Sequence, residues 1–347
     1  MEETGFKLEI PIVQGGMGVG VSLGGLAGAV AGCGGAGTIS TAQIGFREPD
    51  FMEHPLQANL RAIKKEIAKA KEIAGGRGMV GVNIMTVTRE YASYVREAVE
   101  SGADFIVSGA GLPMDLPTLT RGSFVRRIPV VSSLKAASVI CKRWMKKEEA
   151  MPDAVIIEGP LAGGHLGFTK EEAERSESSW YEEEIKKIVA FLRSFGAEHG
   201  KYIPVITAGG FRTHKDFLRQ KELGADAIQV ATRFVVTEEC DAATAFKQAY
   251  VNCKKEDIEI IKSPVGMPGR AIRNYFIEKA KQGRIPPEKC LGCLSVCNPA
   301  QTPYCITQAL IRAVTGDTEN GLVFCGANAW QEDRIRTVRE VIRELLK

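Results

Sequence analysis

One histidine in the sequence stands where it could do acid–base chemistry. The stretch "EGPLAGGHLGF" places His165 behind Gly163 and Gly164, directly after the apolar run "DAVII". The chain has only 4 histidines. An imidazole titrates near neutral pH, so it can accept a proton or hold an anion, while glycines let another group approach the backbone. A structural histidine bonded to a loop carbonyl is the alternative, which a lone histidine favours; the strand-end position and the surrounding motif together favour a functional one.

Two further segments have the composition of a phosphate site. "TAGGFRTH" brings Gly209 and Gly210 to the start of a predicted helix, and "ATRF" places Ala231 and Thr232 after the next apolar run. Backbone N–H groups at such turns are ready donors to a phosphate. Glycines at strand ends also serve plain turn geometry, but the pairing of both motifs favours a phosphate site.

Near the carboxyl end the chain carries an array of thiols. The segment "CLGCLSVCNPAQTPYC" spaces its four cysteines as C-x2-C-x3-C-x7-C: Cys290, Cys293, Cys297 and Cys305. Four thiolates so close together suit a [4Fe–4S] cluster or structural zinc. Free reduced thiols in a covering loop are the alternative, and the two remain open.

The elements that position these residues alternate regularly along the chain. Eight short apolar runs read as buried strands: "EIPIVQ", "AGTIST", "MVGVNIM", "FIVSGA", "IPVVSSL", "DAVIIEG", "IPVITAGG" and "AIQVATRF". Helical patterns lie between and after them at 22–33, 55–74, 88–101, 114–120, 135–147, 182–199, 214–223 and 241–252. Eight βα repeats with doubly buried strands predict an α/β fold, a closed (β/α)8 TIM barrel.

Domain organisation follows from where this repeat ends. We predict the barrel over 1–253 and a carboxyl-terminal extension over 254–347, which holds the cysteine-rich loop and helices, the last being the amphipathic helix "QEDRIRTVREVIRELL". Chemistry in such barrels is built at the carboxyl ends of the strands. The extension follows the barrel in sequence and is expected to cover that mouth as a lid.

Composition excludes several classes of partner. The 45 basic and 42 acidic residues nearly balance, and the basic ones are scattered along helices, so nucleic-acid binding is not expected. The uncharged stretch 10–46 is too rich in glycine for a membrane span. Nine cysteines without an export signal indicate a reducing cytoplasm. The sequence leaves self-association open.

Six separated motifs together resemble a known family. "QGGMG", "GVNI", "SGAGLP", "EGPLAGGHLGF", "PVITAGG" and "AIQVATRF", in this order and spacing, resemble the nitronate monooxygenases, formerly called 2-nitropropane dioxygenases. The FMN-dependent enoyl-ACP reductases are similar but less close. The resemblance covers roughly residues 8–275. It implies a TIM barrel that binds FMN.

The resemblance also implies where the cofactor lies. The flavin ring would rest near Gly16, Met17 and Asn83, with Glu158, Gly163 and Gly164 along its edge. The phosphate would sit on the four residues of the two phosphate segments, Gly209, Gly210, Ala231 and Thr232, with Gln229 close by. Lys135 would stabilise negative charge on the reduced ring.

The leading function is oxidation of an alkyl nitronate to a carbonyl compound and nitrite. In this reaction His165 would take the α-proton of a neutral nitroalkane, or as imidazolium would hold the nitronate anion. The nearest alternative is an enoyl-ACP or enoate-type reductase that uses NAD(P)H, to which an iron–sulfur cluster would lend weight. A non-catalytic flavin or iron–sulfur sensor is the third.

Overall fold

Eight parallel strands close into a barrel, which confirms the predicted TIM-barrel fold. The computed structural model of the chain describes residue 6 and residues 8–175 and 179–347. The strands follow one another around the barrel in chain order. They are β1 (Ile12–Gln14), β2 (Ala36–Ser40), β3 (Met79–Met85), β4 (Phe105–Gly109), β5 (Arg126–Val131), β6 (Val155–Glu158), β8 (Val205–Ala208) and β9 (Ala227–Val230). A three-stranded antiparallel sheet combines β7 (Gly164–His165), β10 (Ile258–Lys262) and β11 (Pro268–Ile272).

Helices surround the barrel and continue into the last third of the chain. The α-helices are α1 (Gly24–Gly32), α2 (Pro55–Ala74), α3 (Tyr91–Glu100), α4 (Leu116–Leu119), α5 (Leu134–Glu148), α6 (Lys170–Ala173), α7 (Glu182–Glu198), α8 (His214–Glu222), α9 (Thr232–Val235), α10 (Thr244–Val251), α11 (Tyr275–Gln282), α12 (Ile306–Val314) and α13 (Val338–Leu346). Short 3-10 helices lie at Ile44–Arg47, Ser179–Tyr181, Lys255–Asp257 and Ala329–Gln331.

The uncharged, glycine-rich stretch near the amino terminus is explained by helix packing. α1 and α2 lie so close that a Cβ at Gly24 would come within 2.7 Å of the Glu66 carbonyl oxygen, and one at Gly28 within 2.8 Å of the Ala70 carbonyl oxygen. Only glycine leaves room for this approach. Among the described residues, no helix combines the length and the apolar character needed to cross a membrane.

The segment after α10 returns over the carboxyl-terminal face of the barrel. β11 pairs with β7 in the register Gly269↔His165 and Arg270↔Gly164, so the loop after β6 becomes a strand of the small sheet. α13 packs on the outside of the barrel against α1, α8 and α9. It begins only at Val338, because Thr337 and Glu340 form a capping box, and is therefore shorter than its sequence pattern.

Candidate active site

A cavity of about 370 Å³ opens at the carboxyl ends of the barrel strands. Its size is that of a pocket for a small molecule or cofactor. Parallel strands all end at this face, so residues far apart in sequence meet here. The lining includes nearly all of the sequence-predicted cofactor and catalytic residues: Gly16, Met17, Asn83, Glu158, Gly163, Gly164, His165, Gly209, Gly210, Gln229, Ala231 and Thr232.

Lys135 is the predicted residue that the structure does not bring to the cavity. It lies exposed in the first turn of α5, after the cap made by the Ser133 hydroxyl. Its neighbour Ala136 lines the cavity instead. Consecutive helical residues point about 100° apart because a turn has 3.6 residues, so the helix turns Lys135 toward solvent. The sequence predicted where the helix begins but not which of its residues face the cavity.

The loops after β8 and β9 offer unpaired backbone donors. Gly209 and Gly210 have φ values of +121° and +80°, a backbone conformation that favours glycine. Among the described residues, no acceptor pairs with the N–H groups of Gly209, Gly210, Ala231 or Thr232. Backbone N–H groups in folded proteins are almost always paired. Four free donors lining one end of a cavity therefore fit an anion such as a phosphate.

Residues from the end of the chain complete this part of the cavity. The Gly326 N–H donates to Thr232 Oγ1 at 3.1 Å, and Asn328 Nδ2 donates to the Gly210 carbonyl at 2.7 Å. A Cβ on Gly163 would lie 2.6 Å from the Cys325 carbonyl carbon, so Gly163 allows the chain end to pack here. The segment "FCGAN" carries the small and amide residues that could have signalled this role.

A buried cluster of ion pairs, which the sequence did not predict, lies at the end of the cavity that holds the four backbone donors. Arg212 and Arg233 line the cavity together with Glu332, whose side chain is 1% exposed. Arg212 Nε lies 3.3 Å and Arg233 Nε 3.6 Å from Glu332 Oε1. Arg233 also donates to the Arg212 carbonyl oxygen at 2.7 Å. The cluster holds the loops after β8 and β9 to the segment before α13.

His165 enters the cavity from β7 with one ring nitrogen engaged. Its Nε2 lies 2.7 Å from Ser263 Oγ, and its ring meets the Phe324 ring edge-on at a centroid distance of 4.9 Å. Burial lowers the pKa of His165 from 6.5 to about 4. The imidazole is therefore neutral at neutral pH, which disfavours the imidazolium role considered from the sequence.

Glu158 ends β6 and faces the same cavity. Desolvation raises its pKa from 4.5 to about 7, and a backbone hydrogen bond from Gly167 and the charge of Arg270 oppose the rise. Arg270, on β11, is 3% exposed and donates to the carbonyl oxygens of Ala162, Pro160 and Ala173. This single guanidinium clamps both ends of the loop that carries His165.

The remaining predicted contacts lie at the ends of β1, β3 and β9. Asn83 and Gln229 line the cavity, and no described residue hydrogen-bonds to their side-chain amides. A Cβ at Gly16 would lie 2.4 Å from the Asn83 Cβ, so glycine is needed where β1 passes β3. The Met17 N–H donates to Ser22 Oγ at 2.8 Å. The unpaired side-chain amides of Asn83 and Gln229, together with the bare backbone at Gly16, fit a polar planar ring.

The cysteine array does not form a metal centre in the structure. Across the described residues, no three or more His, Cys, Asp or Glu side chains are arranged to hold a metal ion. Cys290 is exposed, and Cys293, Cys297 and Cys305 are half-buried. The loop packs on the segment after β3, where Thr88 pairs with Leu294. Of the two alternatives that the sequence left open, the metal site is therefore not supported.

Comparison with known proteins places these features in a family. The family profile described as nitronate monooxygenase matches residues 3–347. A probable nitronate monooxygenase of Staphylococcus aureus (strain Newman) is 30% identical over 166 residues, which is 45% of this chain and 44% of that protein. The chain thus matches less than half the length of this curated relative.

Solved structures resemble the chain over almost all of its length. FabK from Thermotoga maritima has a TM-score of 0.74 and 26% identity, and the alignment covers 99% of this chain and 93% of that one. Nitroalkane oxidase from Streptomyces ansochromogenes has a TM-score of 0.70 and 20% identity, with 97% and 96% covered. At that identity the second similarity concerns the fold.

Proposed function

Because the chain belongs to the nitronate monooxygenase family and is an enzyme of the oxidoreductase type, we propose that it binds FMN and oxidises alkyl nitronates. The observation that carries this proposal is one cavity with four free backbone donors at one end and a neutral histidine on its wall. The donors would hold the FMN phosphate. The chemistry that bound FMN supplies is electron transfer from the nitronate to O2, which releases a carbonyl compound and nitrite.

Different residues along the cavity would contact the flavin ring and the substrate. Asn83 and Gln229 would hydrogen-bond the polar edge of the ring, and the glycines of the "AGGH" segment would let substrate approach it closely. His165 would contact the substrate. The small sheet of β7, β10 and β11 lies over this face and would exclude bulk water.

A second candidate is reduction of an enoyl thioester with NAD(P)H. Met267, Leu310 and Phe324 give one wall of the cavity an apolar surface that suits an acyl chain. The similarity to FabK over 99% of this chain is compatible with this alternative. An apolar wall also accepts the alkyl group of a nitronate, so electron-donor specificity separates the two.

Anaerobic reduction of the purified protein tests the proposal. Denaturation should release FMN, and propyl-2-nitronate should bleach the bound flavin, whereas NADH and NADPH should not. His165→Asn should bleach far more slowly with its FMN content unchanged. His214→Asn is the matched control, because His214 Nδ1 bonds the Leu345 carbonyl and lies outside the cavity lining. Bleaching by NAD(P)H with no response to nitronate would establish the reductase instead.

A further inference from the structure

The hydrogen bond between His165 and Ser263 determines which ring nitrogen carries the proton. Ser263 is 2% exposed and lies between β10 and β11, almost 100 residues after His165 in sequence. Its Oγ is 2.7 Å from His165 Nε2. Either atom could in principle donate, because a neutral imidazole carries its proton on one nitrogen only.

The surroundings of Ser263 decide between the two arrangements. Its Oγ also accepts the Val265 N–H at 3.3 Å, so that contact cannot take the hydroxyl hydrogen. Among the described residues, His165 Nε2 is the one acceptor within reach of this hydroxyl. If His165 donated from Nε2, the buried hydroxyl would keep a hydrogen without an acceptor, which costs free energy.

The other nitrogen is left available. His165 Nδ1 has no hydrogen-bond partner in the described part of the chain, yet it is not sealed inside the protein. The residue lines the cavity. The neutral ring therefore offers Nδ1 to whatever binds there.

We propose that Ser263 donates its hydroxyl hydrogen to His165 Nε2 and thereby fixes the Nδ1–H tautomer, so that His165 presents a hydrogen-bond donor to the substrate and not a base. Ser263 is thus a positioning residue. The consequence for chemistry rests on the proposed function: an Nδ1–H donor stabilises the negative oxygen of a preformed nitronate, but it cannot remove the α-proton of a neutral nitroalkane.

The tautomer can be measured without any substrate. Imidazole ¹⁵N–¹H correlation spectra of the ¹⁵N-histidine-labelled holoenzyme report which nitrogen is protonated, and His165→Asn identifies the His165 signals. We expect Nδ1 protonated and Nε2 unprotonated in the wild type. In Ser263→Ala the pattern should change toward the Nε2–H form, and in Ser263→Thr, which keeps the hydroxyl, it should not. Protonation of Nε2 in the wild type would overturn the proposal.

Kinetics provide the second readout. Ser263→Ala should lower kcat with propyl-2-nitronate about three- to tenfold, the range expected for loss of one hydrogen bond, and Ser263→Thr should restore it. The matched control is Thr302→Val, which removes another buried hydroxyl, bonded to the Tyr304 carbonyl oxygen at 3.0 Å, away from the cavity. Equal losses in Ser263→Ala and Thr302→Val would reduce Ser263 to a structural role.

The two hypotheses fail separately. If the spectra show the Nδ1–H form but nitronate does not reduce the flavin, the tautomer assignment stands and the proposed substrate is wrong. If nitronate reacts but Nε2 carries the proton, the substrate proposal stands and the role of Ser263 is refuted. Wild-type activity on neutral nitroalkanes equal to that on nitronates would also contradict a donor-only His165.

Discussion

Replacing Glu158 by glutamine should change how stability depends on pH. The pKa of Glu158 is raised from 4.5 to about 7 in the folded protein. Between these values the folded chain keeps the carboxyl proton while the unfolded chain releases it. The contribution of Glu158 to the free energy of unfolding therefore falls as pH rises through this interval and is constant outside it.

The size of the effect follows from the shift. One pKa unit corresponds to 1.36 kcal/mol, so a rise from 4.5 to about 7 gives about 3 kcal/mol. Glutamine cannot ionise and lacks this penalty. The difference in unfolding free energy, Glu158→Gln minus wild type, should therefore increase by about 3 kcal/mol between pH 4 and pH 8. All groups common to both proteins cancel in this difference.

Urea denaturation followed by circular dichroism at a series of pH values measures this difference, provided that both proteins have the same m-value. Glu340→Gln is a control of opposite sign. Glu340 accepts the Thr337 N–H at 2.7 Å, and this capping box lowers the pKa of Glu340. The unfolding free energy of Glu340→Gln should therefore decrease relative to that of the wild type as pH rises. A difference for Glu158→Gln that stays flat or decreases with pH would refute the buried, cavity-facing carboxyl.

Three further outcomes follow from the site. His165→Asn should gain about 3 kcal/mol of stability relative to the wild type as pH falls from about 6.5 to about 4, because the unfolded wild-type imidazole takes up a proton in this interval while the folded one, with a pKa lowered to about 4, does not. A pH-independent difference in the same urea experiment would contradict this. Arg270→Met should destabilise the protein by about 3 kcal/mol or more and reduce bound FMN, and Arg270→Lys should rescue it only partly, since a lysine cannot span three carbonyls; unchanged melting and FMN content would contradict the clamp. The double variant Cys293→Ser, Cys297→Ser should keep its FMN-to-protein ratio and lose less than about 2 kcal/mol of stability, whereas loss of FMN would give the loop a role in the site.

The barrel could be predicted from sequence because its strands are buried on both faces. "MVGVNIM" is a continuous apolar run without helical period, and it forms β3 over Met79–Met85. Helix α2 shows strong amphipathic spacing, and it matches the predicted range 55–74. Strand ends then had to converge, which is why motifs scattered from Gly16 to Thr232 line one cavity.

Positions that depend on side-chain phase or on distant pairing could not be predicted in this way. Lys135 follows a strand, but helix geometry turns it outward. β7 is two residues long, and its partner β11 begins with Pro268 and Gly269, so neither has a strand-like composition. The thiol spacing left a metal site and free thiols as alternatives, because spacing alone does not determine whether four sulfur atoms come together when a loop packs on other contacts.

The barrel and the segment after it share the candidate active site so closely that they should fold as one unit. Ser263 supplies the hydrogen-bond partner of His165, and Arg270 supplies donors to the loop that carries it. Gly326 and Asn328 hold the loops after β9 and β8. Without residues 254–347 these buried or half-buried polar groups would lose their partners, and each lost partner costs free energy. Residues of the extension therefore form part of the cavity wall, and we expect the proposed flavin site to form only when both parts are folded.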